Sequence, residues 1–283
     1  ELSSNGEFAA LALRRWPRRE EILAFQDARL RRLVAHAHER VPYYRERFRA
    51  HGMEPRDIRS VADLHRIPLT SKADLQGRSP VDLVARGVDP ARLIAYSTSG
   101  STGEPATIRR TWIEERVAGA FRLRTLRDLG LRPSDRRAVI HIAEPHHPRN
   151  WQLPQRLVRA IGLYRRNRIN CRLALEAILA RLRELDPDVV SGYPGVLSRL
   201  AGMLEGEDRE RIRPRLIVAG GEVLTPFMRR QIAEGFRARV VEVYSSYEFP
   251  LIAWQCPRME TLHTADDALI LEVLVDGRPA RPG

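Results

Sequence analysis

The spacing of short apolar runs constrains this chain more than any other feature. Runs at 138–142, 188–191, 216–219 and 240–243 are rich in Val and Ile, and helix-length stretches separate them. Runs of that length and branching suit strands buried on both faces. Helices are predicted at 152–163 and 174–185, after the turn Gly192-Tyr193-Pro194, and at 226–236, where Thr225 is the N-cap and Pro226 takes the first position. Strand and helix in alternation make an α/β fold, a mainly parallel sheet flanked by helices. Such sheets bind ligands outside the carboxyl ends of their strands, so the residues just after each run become the candidates for function.

The flanking regions read differently. Ile22, Leu23, Leu30, Leu33, Val34, Ala37 and Val41 recur at helical spacing, which predicts a helix over 20–40 ending at Pro42. Residues 43–90 read as short helices and turns, so 1–90 form a helical N-terminal region. A strand is expected at 93–96 and a helix from Trp112 to Leu129, with Val117, Ala120, Phe121, Leu126 and Leu129 as its packing stripe. The run 268–275, closing at Asp276-Gly277, reads as a hairpin strand of a β-rich C-terminal portion.

A formal net charge of +12 over 283 residues raises the question of nucleic acid. Lys72 is the single lysine, and the arginines are scattered over helix faces, as at Arg29, Arg31, Arg32 and Arg122, Arg124, Arg127. No nucleic-acid-binding motif accompanies them, so they read as solvated faces and local ion pairs, with no nucleic-acid partner. No apolar run approaches the ~20 residues that cross a bilayer, so no membrane partner is expected. Cys171 and Cys256 make no disulfide framework, and a reducing cytoplasmic setting is the expectation. The start at Glu1, lacking Met and signal-peptide regions, reads as a truncated or tagged terminus.

Three polar motifs follow apolar runs. Ser97-Thr98-Ser99-Gly100-Ser101-Thr102-Gly103 offers hydroxyls, backbone N–H groups and glycines, the donors and close approach that a polyphosphate needs. No Lys follows Gly103, so this is not a Walker A loop. Gly220-Gly221-Glu222 follows the run at 216–219, and Tyr244-Ser245-Ser246-Tyr247-Glu248 follows the run at 240–243. Taken singly, each is compatible with an ordinary surface loop; together at strand ends they point to one site.

In this order the motifs resemble those of the adenylate-forming superfamily, in the branch of phenylacetate-CoA ligases and capsule-synthesis adenylating proteins. Val41-Pro42-Tyr43-Tyr44, the segment 63–75, Cys256-Pro257, Leu262-His263 and the stretch 276–283 are similar to further landmarks of that branch. The resemblance implies that residues 91–283 are the nucleotide-binding α/β core of a large N-terminal domain. It also implies ATP-dependent activation of a small carboxylic acid, aromatic ones included, to an acyl-adenylate, then thioester transfer to CoA or a carrier protein. Ser99, Gly100, Ser101, Thr102 and Gly103 would cradle the phosphates. Gly220, Gly221, Glu222 and Tyr244 would line adenine, with Ser245, Ser246 and Tyr247 beside them. Glu248 would hold Mg2+, and Thr102 would contact it.

His146, His147, Trp151, Tyr193 and Pro194 are the candidates for the acid pocket, Trp151 and Tyr193 suiting a flat acid. The chain departs from the pattern at Glu104, where a basic residue is usual, and at Ser245 and Tyr247, where Gly and a Ser or Thr are usual. Relatives continue into a small C-terminal domain carrying an adenylating lysine, which Lys72 does not match, so the chain is expected to adenylate slowly or not at all. Two alternatives stay open: an adenylating enzyme that serves an amine or hydroxyl acceptor, and a non-catalytic nucleotide-binding or scaffold protein. Homodimerisation is also open. Cys256 and His263 form at most half of a zinc site.

Overall fold

The computed structural model describes residues 18–97, 106–142, 165–255, 261–276 and 278–280. The chain divides into two compact units, Glu1–Ala120 with Ala265–Gly283, and Phe121–Thr264.

In the first unit, helix α1 (Arg19–Arg40) carries Glu20 and Glu21 in its first turn and His38 and Arg40 in its last. Each charge opposes the partial charge of its own helix end. Val41 is extended, as a residue before proline must be, and Pro42 opens helix α2 (Pro42–Ala50). Leu30 and Val34 of α1 and Phe48 of α2 pack with Met53 and Ile58 into one buried cluster, against which Ile270 also rests. Gln26 donates to the carbonyls of Asp266 (2.8 Å) and Leu269 (3.3 Å), tying the C-terminal segment to α1. Short helices α3 (Lys72–Leu75) and α4 (Pro80–Leu83) follow, then the antiparallel pair β1 (Ile94–Ser97) and β2 (Thr107–Arg110). Helix α5 spans Trp112–Asp128.

The second unit holds a seven-stranded sheet in the order β4-β3-β5-β6-β7-β8-β9. Its strands are β3 (Arg137–His141), β4 (Arg166–Asn170), β5 (Val189–Gly192), β6 (Leu216–Gly220), β7 (Arg239–Tyr244), β8 (Ala253–Gln255) and β9 (Leu262–Thr264). The first five in that spatial order pair in parallel; β8 and β9 add antiparallel. The register puts Ala138, Val190, Ile217 and Val240 in one row. That face packs with Ile178 and Leu182 of helix α6 (Leu175–Leu185), Leu197 and Leu200 of α7 (Pro194–Met203), and Ile232 and Phe236 of α9 (Pro226–Phe236). These side chains are fully buried, each stabilising the fold by about 1.5–3 kcal/mol relative to exposure. Between β6 and α9's partner helix α7 lies the short helix α8 (Gly206–Arg211) in sequence. The backbones of α7 and α9 approach so closely that a Cβ on Gly235 would stand 2.6 Å from the Ala201 carbonyl oxygen.

The alternation of strand and helix and the mainly parallel sheet agree with the sequence reading. Thr225 caps α9 as expected, its hydroxyl accepting the Met228 amide at 3.2 Å. The hairpin strand expected over 268–275 is shorter: only β10 (Leu274–Val275) pairs, with β11 (Arg278–Pro279), while the Ala268 and Leu269 amides turn back to the Ala265 carbonyl. The expected helix at 152–163 lies outside the described residues. Among the described residues, no helix is long and apolar enough to cross a membrane.

Candidate nucleotide and acid site

Parallel pairing brings the carboxyl ends of β3, β5, β6 and β7 to one edge of the sheet. There the chain places His141 and Ile142, Tyr193 and Pro194, Gly220-Gly221-Glu222, and Tyr244 to Glu248. Cys171 follows β4 on the same edge, and its amide donates to the His141 carbonyl at 3.2 Å.

Both glycines after β6 are required by their surroundings. A Cβ at Gly220 would stand 2.5 Å from the Val243 carbonyl oxygen of the neighbouring strand. Gly221 has φ +84°, and a Cβ there would reach 2.8 Å from the Tyr193 ring. Gly221 therefore sits too close to the Tyr193 ring for any side chain and leaves bare backbone at the strand end. Glu222 then turns back across the edge, and its Oε2 accepts the Gly195 amide at 3.0 Å. That amide belongs to the first turn of α7, where free N–H groups and the helix dipole favour a carboxylate.

Tyr193 is the centre of the arrangement. Its ring stacks on His141 with centroids 4.7 Å apart and planes at 26°. Its hydroxyl lies 3.5 Å from His141 Nδ1, which is itself 3.3 Å from the Ile142 carbonyl. Burial, then the nearby Tyr247 and Cys171, push the phenol up to about 12, against a backbone hydrogen bond from Ile142 that pulls it down; Glu222 pushes it further up. At neutral pH this group is an un-ionised hydroxyl.

The segment after β7 is a tight turn. The Ser246 amide donates to the Phe249 carbonyl (2.9 Å), the Phe249 amide donates back to the Ser246 hydroxyl (3.0 Å), and the Ile252 amide returns to the Tyr244 carbonyl (2.9 Å). Tyr244 is 54% exposed, so its ring lies at the surface rather than in the core. Glu248 is exposed, while Ser245, Ser246 and Tyr247 are half-buried. Arg229 of α9 braces β7 from the other side, contacting Glu242 (3.1 Å) and Gln255 (3.0 Å).

Of the residues singled out from sequence, Tyr193, Pro194, Gly220, Gly221, Glu222, Tyr244, Ser245, Ser246, Tyr247 and Glu248 share this edge. Ser99, Gly100, Ser101, Thr102, Gly103, Glu104, His146, His147, Trp151 and Cys256 lie outside the described residues. Among the described residues no group of three or more His, Cys, Asp or Glu is placed to hold a metal, and the His263 ring packs on Trp254 at 5.1 Å. The sequence reading undervalued His141 and Cys171. Their signal was position alone, at the ends of β3 and β4.

This fold is that of the acyl-CoA ligases of the adenylate-forming superfamily. A 2-hydroxyisobutyryl-CoA ligase, solved with 2-HIB-AMP and CoA in its thioesterification state, superposes with a TM-score of 0.71 at 20% identity, over 92% of this chain and 57% of that one. The open conformation of that ligase gives a TM-score of 0.65 over 84% of this chain and 52% of its own. The curated sequence relatives are phenylacetate-coenzyme A ligases. That of Thermus thermophilus is 27% identical over 270 residues, 90% of this chain and 58% of its own length. That of Escherichia coli is 28% identical over 264 residues, covering 89% and 57%. The chain thus spans a little over half the length of these relatives. No protein-family profile matches it.

Proposed function

We propose that the protein activates a small carboxylic acid with ATP as an acyl-adenylate and serves thioester formation with CoA. A carrier thiol would be the same chemistry with a different acceptor. The observation that carries the reading is the juxtaposition, on adjacent strand ends, of the side-chain-free Gly220-Gly221 backbone and the exposed Tyr244 ring. A flat base fits between a bare peptide and an aromatic face. The likeness to phenylacetate-coenzyme A ligases supports the reaction class.

Glu248, an exposed carboxylate just past β7, is of the hard oxygen type that Mg2+ takes. Residues 99–103, Thr102 among them, lie outside the described residues and are assigned to the phosphates on their sequence alone. In this reading Mg2+ neutralises phosphate charge, while Tyr244 and Gly220-Gly221 position the base and Tyr193 bounds the acid. Residues 91–283 form the nucleotide-binding core, and the setting is cytoplasmic.

Calorimetric titration of this chain with AMP and with Mg-ATP tests it. Both nucleotides bind, and Glu248→Ala weakens Mg-ATP by about tenfold or more while leaving AMP within about threefold. Absence of binding by either nucleotide overturns the reading.

A further inference from the structure

The nucleotide reading leaves the acid undefined, and the side chains beside Gly221 bear on it. Tyr193 is held in place on several sides. The Gly221 peptide packs against its ring edge at a distance that excludes any Cβ, and His141 stacks on its face at 4.7 Å. Tyr247 and Cys171 lie close enough to perturb its ionisation. A ring so confined cannot swing aside to admit a bulky group without disturbing the backbone assigned to adenine.

Its hydroxyl is only loosely engaged. The contact to His141 Nδ1 is 3.5 Å, at the outer limit of a hydrogen bond, and that nitrogen also faces the Ile142 carbonyl at 3.3 Å. A backbone hydrogen bond from Ile142 reaches the phenol as an acceptor, which leaves the phenolic proton to be given away. Among the described residues the phenolic proton has no contact shorter than the 3.5 Å to His141 Nδ1, so a hydrocarbon acyl group set against this edge would leave it poorly satisfied. A site of that kind discriminates strongly for a substrate that supplies an acceptor.

We propose that the acid taken here is short and carries a hydroxyl or oxo group near its carboxyl, which the Tyr193 hydroxyl beside His141 recognises. The inference rests on the adenylate-forming reading above. It narrows the acid away from the flat aromatic acids that Tyr193 and Trp151 suggest as sequence. Tyr193 acts as a specificity residue: it selects the acyl group and leaves the nucleotide alone.

Stable acyl-adenylate mimics separate the two claims, because they carry the nucleotide and the acyl group together. AMP and the 5′-O-(N-acylsulfamoyl)adenosines of lactate, 3-hydroxypropionate, propionate and phenylacetate are titrated calorimetrically into the chain and into Tyr193→Phe. The better hydroxylated mimic binds about 30-fold or more tighter than the propionoyl mimic, and Tyr193→Phe shrinks that ratio to about threefold while AMP affinity and circular dichroism hold. Propionoyl or phenylacetyl mimics binding as tightly as the hydroxylated ones overturn the inference, as does a preference that survives Tyr193→Phe. AMP binding without any hydroxyl preference sinks this inference alone. Failure of AMP and of every mimic to bind sinks the nucleotide reading and this inference with it.

Discussion

Glu222 Oε2 accepts the Gly195 amide at 3.0 Å, so the loop after β6 is fastened to the first turn of the helix after β5. Two elements that belong to different strand ends thereby move as one. Removing the carboxylate frees an amide at the positive end of α7 and loosens the Gly220-Gly221 backbone. Glu222→Ala is expected to cost about 1 kcal/mol in urea unfolding and to weaken AMP binding several-fold, by about fivefold. Glu222→Gln keeps an acceptor and recovers most of both; equal losses for the two variants would remove the capping explanation.

Two glycines should tolerate alanine poorly for different reasons. At Gly221 both the positive φ and the 2.8 Å approach to Tyr193 oppose a Cβ; at Gly235 the obstacle is the Ala201 backbone, at 2.6 Å. Thermal melts should show Gly235→Ala losing about 2–3 kcal/mol through separation of α7 from α9. Gly221→Ala should lose about 1–2 kcal/mol and nucleotide affinity as well. Gly52, with open space around it, has only its positive φ to oppose a side chain, and Gly52→Ala should cost about 1 kcal/mol with no change in binding.

Arg137 carries a buried cost. Its Nε has no hydrogen-bond partner among the described residues, and burial first, then the neighbouring Arg122, lower the guanidinium to about 10, with Asp135 in partial opposition. A cation whose proton is held less tightly in the folded chain destabilises the fold at neutral pH. Arg137→Met is expected to raise unfolding free energy by about 1–3 kcal/mol at pH 7. That advantage narrows as pH climbs past about 10, where the folded wild-type chain releases the proton; a stability loss at pH 7 would refute the argument.

The Tyr193 phenol supplies the opposite case. Its value near 12 exceeds that of a free phenol, chiefly through burial, so its neutral form is the one the fold favours. The contribution is whole below about pH 10 and fades as pH rises from about 10 to about 12. Among the seven tyrosines, Tyr44 is also held high by burial. In a near-ultraviolet phenolate titration, Tyr193→Phe should remove one component that ionises near pH 12 and leave the raised Tyr44 component in place.

The strands that the sequence showed clearly are those buried on both faces. Runs at 138–142, 216–219 and 240–243 announce themselves because apolar, mostly branched residues dominate them, with His141 and Glu242 the two polar positions. β4 was invisible for the converse reason: Arg166, Asn167, Arg168 and Asn170 surround one buried residue, Ile169, as suits a strand with a single neighbour in the ladder. The opposite error occurred at 268–273, where apolar residues look strand-like but Leu271 and Val273 are exposed and no ladder receives them. At the site, Gly220-Gly221 and Tyr244 were legible because close approach and stacking restrict residue type. For His141 the position at a strand end was legible but the contact was not, since its stacking on Tyr193 joins residues distant in sequence.

The turn after β7 differs from the ends of β4, β5 and β6. Those hand the chain to a helix, whereas Tyr244–Ile252 is closed on itself by Ser246, Phe249 and Ile252 before β8 returns antiparallel. The hydrogen bonds that close it come from main-chain groups and one hydroxyl, so the exposed side chain at 248 rides on a frame set by its neighbours. Exchange at that position alters what the edge offers to a ligand without rerouting the chain. It is a change in vocabulary at a fixed address, and this turn is where selection can retune chemistry at small structural risk.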